Sequence, residues 1–245
     1  MNTCAVLIAF CLLIPGNPVA GRLPVQDSPR KILTADDFKN GRLIGGSPLE
    51  QETFWMQVGG NLAPYRFTLI PDKTVRDKPG AANPSHRVGR IVVSAADSDT
   101  ILQVIEIYTR ADASLFRALF RAVDVNLDGY LDIAVVDEFG AKWGRQKYWL
   151  YDAKRSRFIT NSLTRELYRI AHNGIEPHPE TNEIEVHHFP EQIPRPAKVA
   201  ERYKIVKGHL LLVGSEEIRD SSGGLRLFFK KRIRGRMKIV SIKQL

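Results

Sequence analysis

Apolar side chains recur along this chain in short runs separated by Gly, Pro, Asn and Asp, a spacing that predicts strands and turns and not long helices. The pattern begins at residues 54–56. Residues 65–70 then alternate apolar with polar, and Pro71-Asp72 is expected to break that strand. Residues 91–95 and 101–108 are two β-rich runs around Asp97-Ser98-Asp99, which predicts a hairpin. Leu115, Phe116, Leu119, Phe120 and Val123 recur at helical spacing, yet 120–123 reads equally well as a short strand. Runs at 131–136 and 148–151 follow, and a polar turn over 152–157 leads into Phe158-Ile159. With the 91–108 hairpin these are expected to form four consecutive antiparallel strands, one propeller blade or one sheet of a sandwich. After the Pro-rich stretch 190–196, further strands are predicted at 203–206, 209–213, 225–233 and 237–242. The expected class is all-β, mainly antiparallel, β-propeller-like or a sandwich.

Composition adds boundaries. The chain has 245 residues, 43% of them apolar, enough for a real core, and its 14 Pro and 18 Gly are scattered instead of forming a low-complexity block. Residues 1–20 contain no Asp, Glu, Lys or Arg, and 4–15 form an apolar run too short to span a bilayer. Pro15-Gly16-Asn17-Pro18 and the small residues Val19-Ala20-Gly21 follow, which predicts a signal peptide cut near Ala20 or Gly21. A buried N-terminal strand or an uncleaved anchor is the competing reading, because the only positive charge before the run is the α-amino group. Cleavage would remove both cysteines, Cys4 and Cys11, and leave no membrane span; the expected location is the periplasm or the exterior. Residues 21–52 read as a linker or edge segment and 53–245 as a single β domain.

The 36 Lys and Arg against 27 Asp and Glu give a net charge of +9, which attracts anionic partners. No helix-turn-helix, zinc-finger or ribonucleoprotein pattern is present, so nucleic acid is not expected among them. The cations concentrate late, in Arg226, Lys230, Lys231, Arg232, Arg234, Arg236 and Lys238. They read as a solvated strand face, or as a dock for an anionic polymer or partner.

One segment has metal-ligand spacing. Calcium takes six to eight hard oxygen donors, which a short loop supplies only if carboxylates alternate along it and the chain turns sharply. Asp124, Asn126 and Asp128 stand at positions 1, 3 and 5 of such a loop, Gly129 at 6, Tyr130 with its carbonyl at 7 and Asp132 at 9. Leu127 and Leu131 are expected to anchor the loop in the core. Position 12, where a helix-loop-helix site carries Glu, is Val135 inside an apolar run, so this loop feeds a strand, as in integrin-type repeats. Asp137 is a further candidate ligand. Asp, Asn and Gly also make plain surface turns through local hydrogen bonds; three carboxylates crowded into one loop favour the cation.

Residues 120–159, with Leu102, Gln103 and Ile105, resemble the periplasmic calcium-binding, β-propeller-like immunity proteins that inhibit lysozyme-like effectors delivered by type IV secretion systems. The resemblance is carried by Val123-Asp-Val-Asn-Leu-Asp-Gly-Tyr-Leu-Asp-Ile133, then Tyr148-Trp-Leu-Tyr-Asp152 and Phe158. It implies a bound calcium ion, an exported location and a peptidoglycan-degrading hydrolase as partner. The alternative is a calcium-stabilised module that binds anionic cell-wall or surface polymer.

No Gly-x-Ser-x-Gly elbow, phosphate-binding Gly loop or mature-chain cysteine is present, and the chain is not expected to be an enzyme. His172, His178, His187 and His188 lie among Glu176, Glu180, Glu183 and Glu185 but match no His-Glu-x-x-His spacing. His187 and His188 are adjacent in an expected strand and should point to opposite faces.

Overall fold

Strands this short, punctuated by turn residues, pair with their sequence neighbours, and the outcome is three successive meanders. The structure, a computed structural model, describes residues 32–34, 37, 52–72, 87–107, 120–139, 144–170, 174–188, 197–222 and 224–245. The expected signal peptide, both cysteines, His172 and the helical-spaced residues 115–119 lie outside the described residues. All the described elements belong to the unit Lys31–Leu245.

The first sheet runs in the order β1 (Ile32–Leu33), β2 (Glu52–Met56), β3 (Tyr65–Asp72), β4 (Arg87–Ala95) and β5 (Ile101–Glu106). The second comprises β6 (Phe120–Val123), β7 (Asp132–Phe139), β8 (Gly144–Asp152) and β9 (Arg157–Ile159). Helix α1 (Ser162–Ile170) leads to the third, formed by β10 (Glu176–His178), β11 (Glu183–His187), β12 (Ala197–Val206), β13 (His209–Ser221), β14 (Gly224–Ile233) and β15 (Arg236–Gln244). Strand β1 pairs parallel to β2; the other described pairings are antiparallel. The protein is therefore all-β and mainly antiparallel, with α1 set between the second and third sheets, and the described strands close into neither a barrel nor a propeller. Among the described residues no helix is long and apolar enough to cross a membrane.

Three expectations change. The four strands assigned to one sheet divide between two: β4 and β5 finish the first sheet, whereas β7 and β8 sit in the second with β6 and β9. Pro71 does not end its strand. Strand β3 continues to Asp72 through a bulge between Ile70 and Pro71, beyond the last pair with β2 (Glu52↔Leu69), so the missing N–H is needed on one side at most. Helix α1 was not expected at all. Its start is a reciprocal cap, in which Asn161 Oδ1 accepts the Thr164 N–H at 3.0 Å and Thr164 Oγ1 accepts the Asn161 N–H at 2.9 Å. Leu163 and Leu167, one helical turn apart, are buried.

The middle sheet is buried on both faces. Ile133 and Val135 of β7, with Trp149 and Tyr151 of β8, join Phe54, Met56, Phe67, Ile91 and Ile105 of the first sheet in one apolar cluster. On the other face Ala134, Tyr148 and Leu150 pack with Leu163 and Leu167 of α1 and with Ile184 and Val186 of β11. That two-sided burial explains why these strands read as continuous apolar runs. The third sheet is rooted in the second cluster, and Glu166 of α1 pins it there: Oε2 accepts the Leu210 N–H at 2.8 Å and Oε1 lies 2.8 Å from His209 Nδ1. Its far end is different, since neither β14 nor β15 contains a buried residue.

Candidate functional site

The loop between β6 and β7 is folded by its own acidic side chains. Asp124 Oδ1 accepts the Asp128 N–H at 3.0 Å and its Oδ2 the Gly129 N–H at 2.8 Å. Asn126 Oδ1 also faces the Asp128 N–H, at 3.3 Å, and Asp128 Oδ1 accepts the Tyr130 N–H at 3.0 Å. Asp132, fully buried, accepts from Val125 N–H at 3.1 Å and from Tyr151 N–H of β8 at 2.8 Å. The winding requires left-handed backbone at two places, Gly129 (φ 89°) and Leu127 (φ 61°). At Leu127 this conformation costs about 1–2 kcal/mol. The loop is held between the two cores: Val125 is buried in the second and Leu131 in the first, while Leu127 packs partly buried against the second.

Its electrostatics are unfavourable to bare carboxylates. Burial pushes the Asp132 carboxyl up to about 8, against the pull of the Tyr151 N–H, and the neighbouring Asp128 charge adds to the rise. Burial likewise raises Asp124, opposed by the N–H groups of Gly129 and Asp128. Each carboxylate oxygen accepts one N–H and retains a second lone pair, so the donor set is all oxygen, negatively charged and mutually repulsive: it fits a hard cation. The acids do not close a cage by themselves, for among the described residues no three His, Cys, Asp or Glu side chains gather into a metal-holding group. Asn126 Nδ2 donates to Asp128 Oδ2 at 2.9 Å, and a cation between them requires that amide to turn over and present its oxygen.

Around the loop the structure collects residues scattered in sequence. The Leu131 N–H reaches the Val58 carbonyl at 2.7 Å, and the Tyr130 ring lies over Gly59, where an added Cβ would stand 2.6 Å from Tyr130 Cδ1. Tyr151 stacks tilted against Tyr130 at 5.5 Å, and its hydroxyl meets that of Tyr65 at 2.8 Å. Gln103 ties β5 to β9 by donating to the Phe158 carbonyl at 2.7 Å and accepting the Phe158 N–H at 2.9 Å. The loop thus sits at the junction of the first two sheets. Val58, Gly59 and Tyr65 were not singled out in the sequence; a Gly59-Gly60 pair beside an apolar strand was the available signal.

Asp137 is not part of this cluster. It is buried against α1, where Tyr168 donates to its Oδ2 at 2.8 Å and Lys147 Nζ stands 2.9 Å from its Oδ1. His187 and His188 do point to opposite faces: His188 Nε2 lies 3.1 Å from Glu201 Oε2, and His187 Nε2 3.2 Å from Glu185 Oε1. Pairing of β10 with β11 also brings His178 to Glu185, at 4.0 Å, a juxtaposition not visible in sequence spacing. The basic stripe falls on β14, β15 and the turn between them.

No family model matches the chain, and no curated protein matches it. One solved structure that resembles it is described as that of a Xanthomonas type IV secretion system related protein, at 14% identity and a TM-score of 0.49, covering 81% of this chain and 97% of that one. A likeness at that level carries no function across to this chain.

Proposed function

We propose that this protein is an exported β protein stabilised by one calcium ion at the β6–β7 loop, and that it acts as a periplasmic immunity protein, inhibiting a peptidoglycan-degrading, lysozyme-like effector. The observation that carries the calcium half is the loop itself, in which Asp124, Asn126 and Asp128 wrap main-chain N–H groups around a left-handed Gly129 while Asp132 stands buried behind them. Calcium bound there would neutralise three carboxylates at the junction of two sheets; Asp124, Asn126, Asp128, the Tyr130 carbonyl and Asp132 would hold it. The inhibitor half is supported by the resemblance of residues 120–159.

Melting the mature protein with calcium and with a chelator tests the first half. Calcium at a hundredfold over its Kd should add about 2.7 kcal/mol, and Asp128→Ala should lose that increment. Identical curves throughout would remove calcium from the reading. For the second half, the immobilised protein is exposed to periplasmic extract and to purified cell-wall polymer and eluted with a salt gradient. A hydrolase retained through high salt with its lytic activity suppressed is the expected result; polymer binding lost at moderate salt, with no hydrolase retained, would replace the inhibitor by a polymer-binding module.

A further inference from the structure

Residues 224–245 contain eight Lys and Arg and no Asp or Glu. They form the β14–β15 hairpin, and among the described residues β15 is the last strand of its sheet, pairing with β14 on one side alone. Ile239, Val240, Ile242 and Leu245 are each about half exposed (48–57%). The register sorts the side chains of β15. Met237, Ile239 and Ile242 lie opposite Arg232, Lys230 and Phe228, on one face; Arg236, Lys238 and Lys243 lie opposite Ile233, Lys231 and Leu227, on the other. This sorting depends on the irregularity between Phe229 and Lys230, which leaves Val240 as the extra residue. Without it Ile242 would fall on the face of Lys238, because side chains alternate with a period of two. One irregularity thus keeps an apolar face and a cationic face distinct along the whole edge.

We infer that the outer edge of β15 takes an extended segment of another protein as an added strand, and that the segment alternates apolar residues with Asp or Glu. An added strand would lay its apolar side chains beside Met237, Ile239 and Ile242 and its carboxylates beside Arg236, Lys238 and Lys243. Charge excludes a second copy as the occupant, since two such strands side by side would bring cation against cation or cation against apolar side chain. Among the cations of the hairpin Lys230 is already neutralised by Glu217 at 2.5 Å; those on β15 form no ion pair among the described residues. A purely anionic surface would use the charges but not the open row of main-chain donors and acceptors. This inference is independent of the calcium loop.

The Leu245 N–H bonds to the Leu225 carbonyl of β14, so by alternation the Ile242 and Gln244 N–H groups point outward. Ile242→Pro therefore removes an edge donor and leaves the β14 ladder intact. The probe is a ten-residue labelled peptide alternating Glu with Val, and its binding to the full chain is followed by fluorescence anisotropy. Ile242→Pro should weaken binding at least about tenfold, while Ile242→Val should not; Lys238→Glu should weaken it too. Block-ordering the same residues, five Glu then five Val, should abolish it. Amide exchange at Ile242 and Gln244 in the unaltered protein should slow on peptide addition, a readout that stands if the proline variant melts early. Absent binding, a block-ordered peptide that binds equally well, or anionic phospholipid vesicles that bind while the peptide does not slow those amides would overturn the inference; so would self-association of the free protein through β15.

Discussion

Strands β7–β8 and the β14–β15 hairpin have the same local ingredients, short runs rich in β-branched and aromatic residues, and opposite surroundings. The first pair is enclosed by a sheet on one side and by α1 with β11 on the other, so Ile133 and Ala134, adjacent in sequence, are both fully buried. The second pair has solvent on both faces, and Ile239 and Val240, also adjacent, are about half exposed. Hydrogen-bonded pairing makes a strand in either setting; only the layers above and below decide whether its apolar side chains contribute to stability or remain available to a partner. The acidic β6–β7 loop belongs to the enclosed region, where burial makes bare carboxylates costly, and the basic stripe belongs to the open one.

The contrast can be tested from its strongest effect downward. Ile133→Ala should cost about 2–5 kcal/mol in chemical denaturation, since it opens a cavity in the sheet interface; a loss under about 1 kcal/mol would show that the middle layer is not enclosed on both sides. Gly59→Ala should cost about 1–3 kcal/mol, because the new Cβ meets the Tyr130 ring at 2.6 Å. No loss in melting would mean that the ring moves aside freely and the loop is not clamped by the first sheet. Glu166→Gln tests the root of the third sheet through pH. The Leu210 N–H and then His209 hold the Glu166 carboxyl below the ordinary range, so its contribution is present above the unfolded pKa of about 4.3 and is lost as pH falls through the lower folded value. The stability gap between wild type and variant should therefore be wider at pH 5 than at pH 3; a constant gap would refute the tie. Ile239→Ala should stay within about 0.5 kcal/mol of wild type, and a loss like that of Ile133→Ala would mean that β15 is covered after all.

Much of the second sheet could be read from the chain because its signals are local. Apolar runs bounded by turn residues locate the strands, and the spacing from Asp124 to Asp132 marks the loop. Helix α1 escaped because its signal is only nine residues long, and its Asn161-x-x-Thr164 cap resembles any polar turn until the two reciprocal hydrogen bonds are seen. Asp137 was misplaced for another reason. It lies five residues beyond Asp132, yet a bulge between Val136 and Glu138 turns it toward Lys147 and Tyr168.

Sequence alone determined what depends on near neighbours: the strand periodicity, the left-handed turn at Gly129, the oxygen-rich composition of the loop and the run of cations at the end. Which strands share a sheet, that Gln103 joins β5 to β9, and that Tyr130 needs a glycine beneath it were decided by tertiary structure. So was the difference between the two apolar hairpins. Burial is set by what packs above and below a strand, and those layers come from residues far away in the chain, whose distance in space no local pattern encodes.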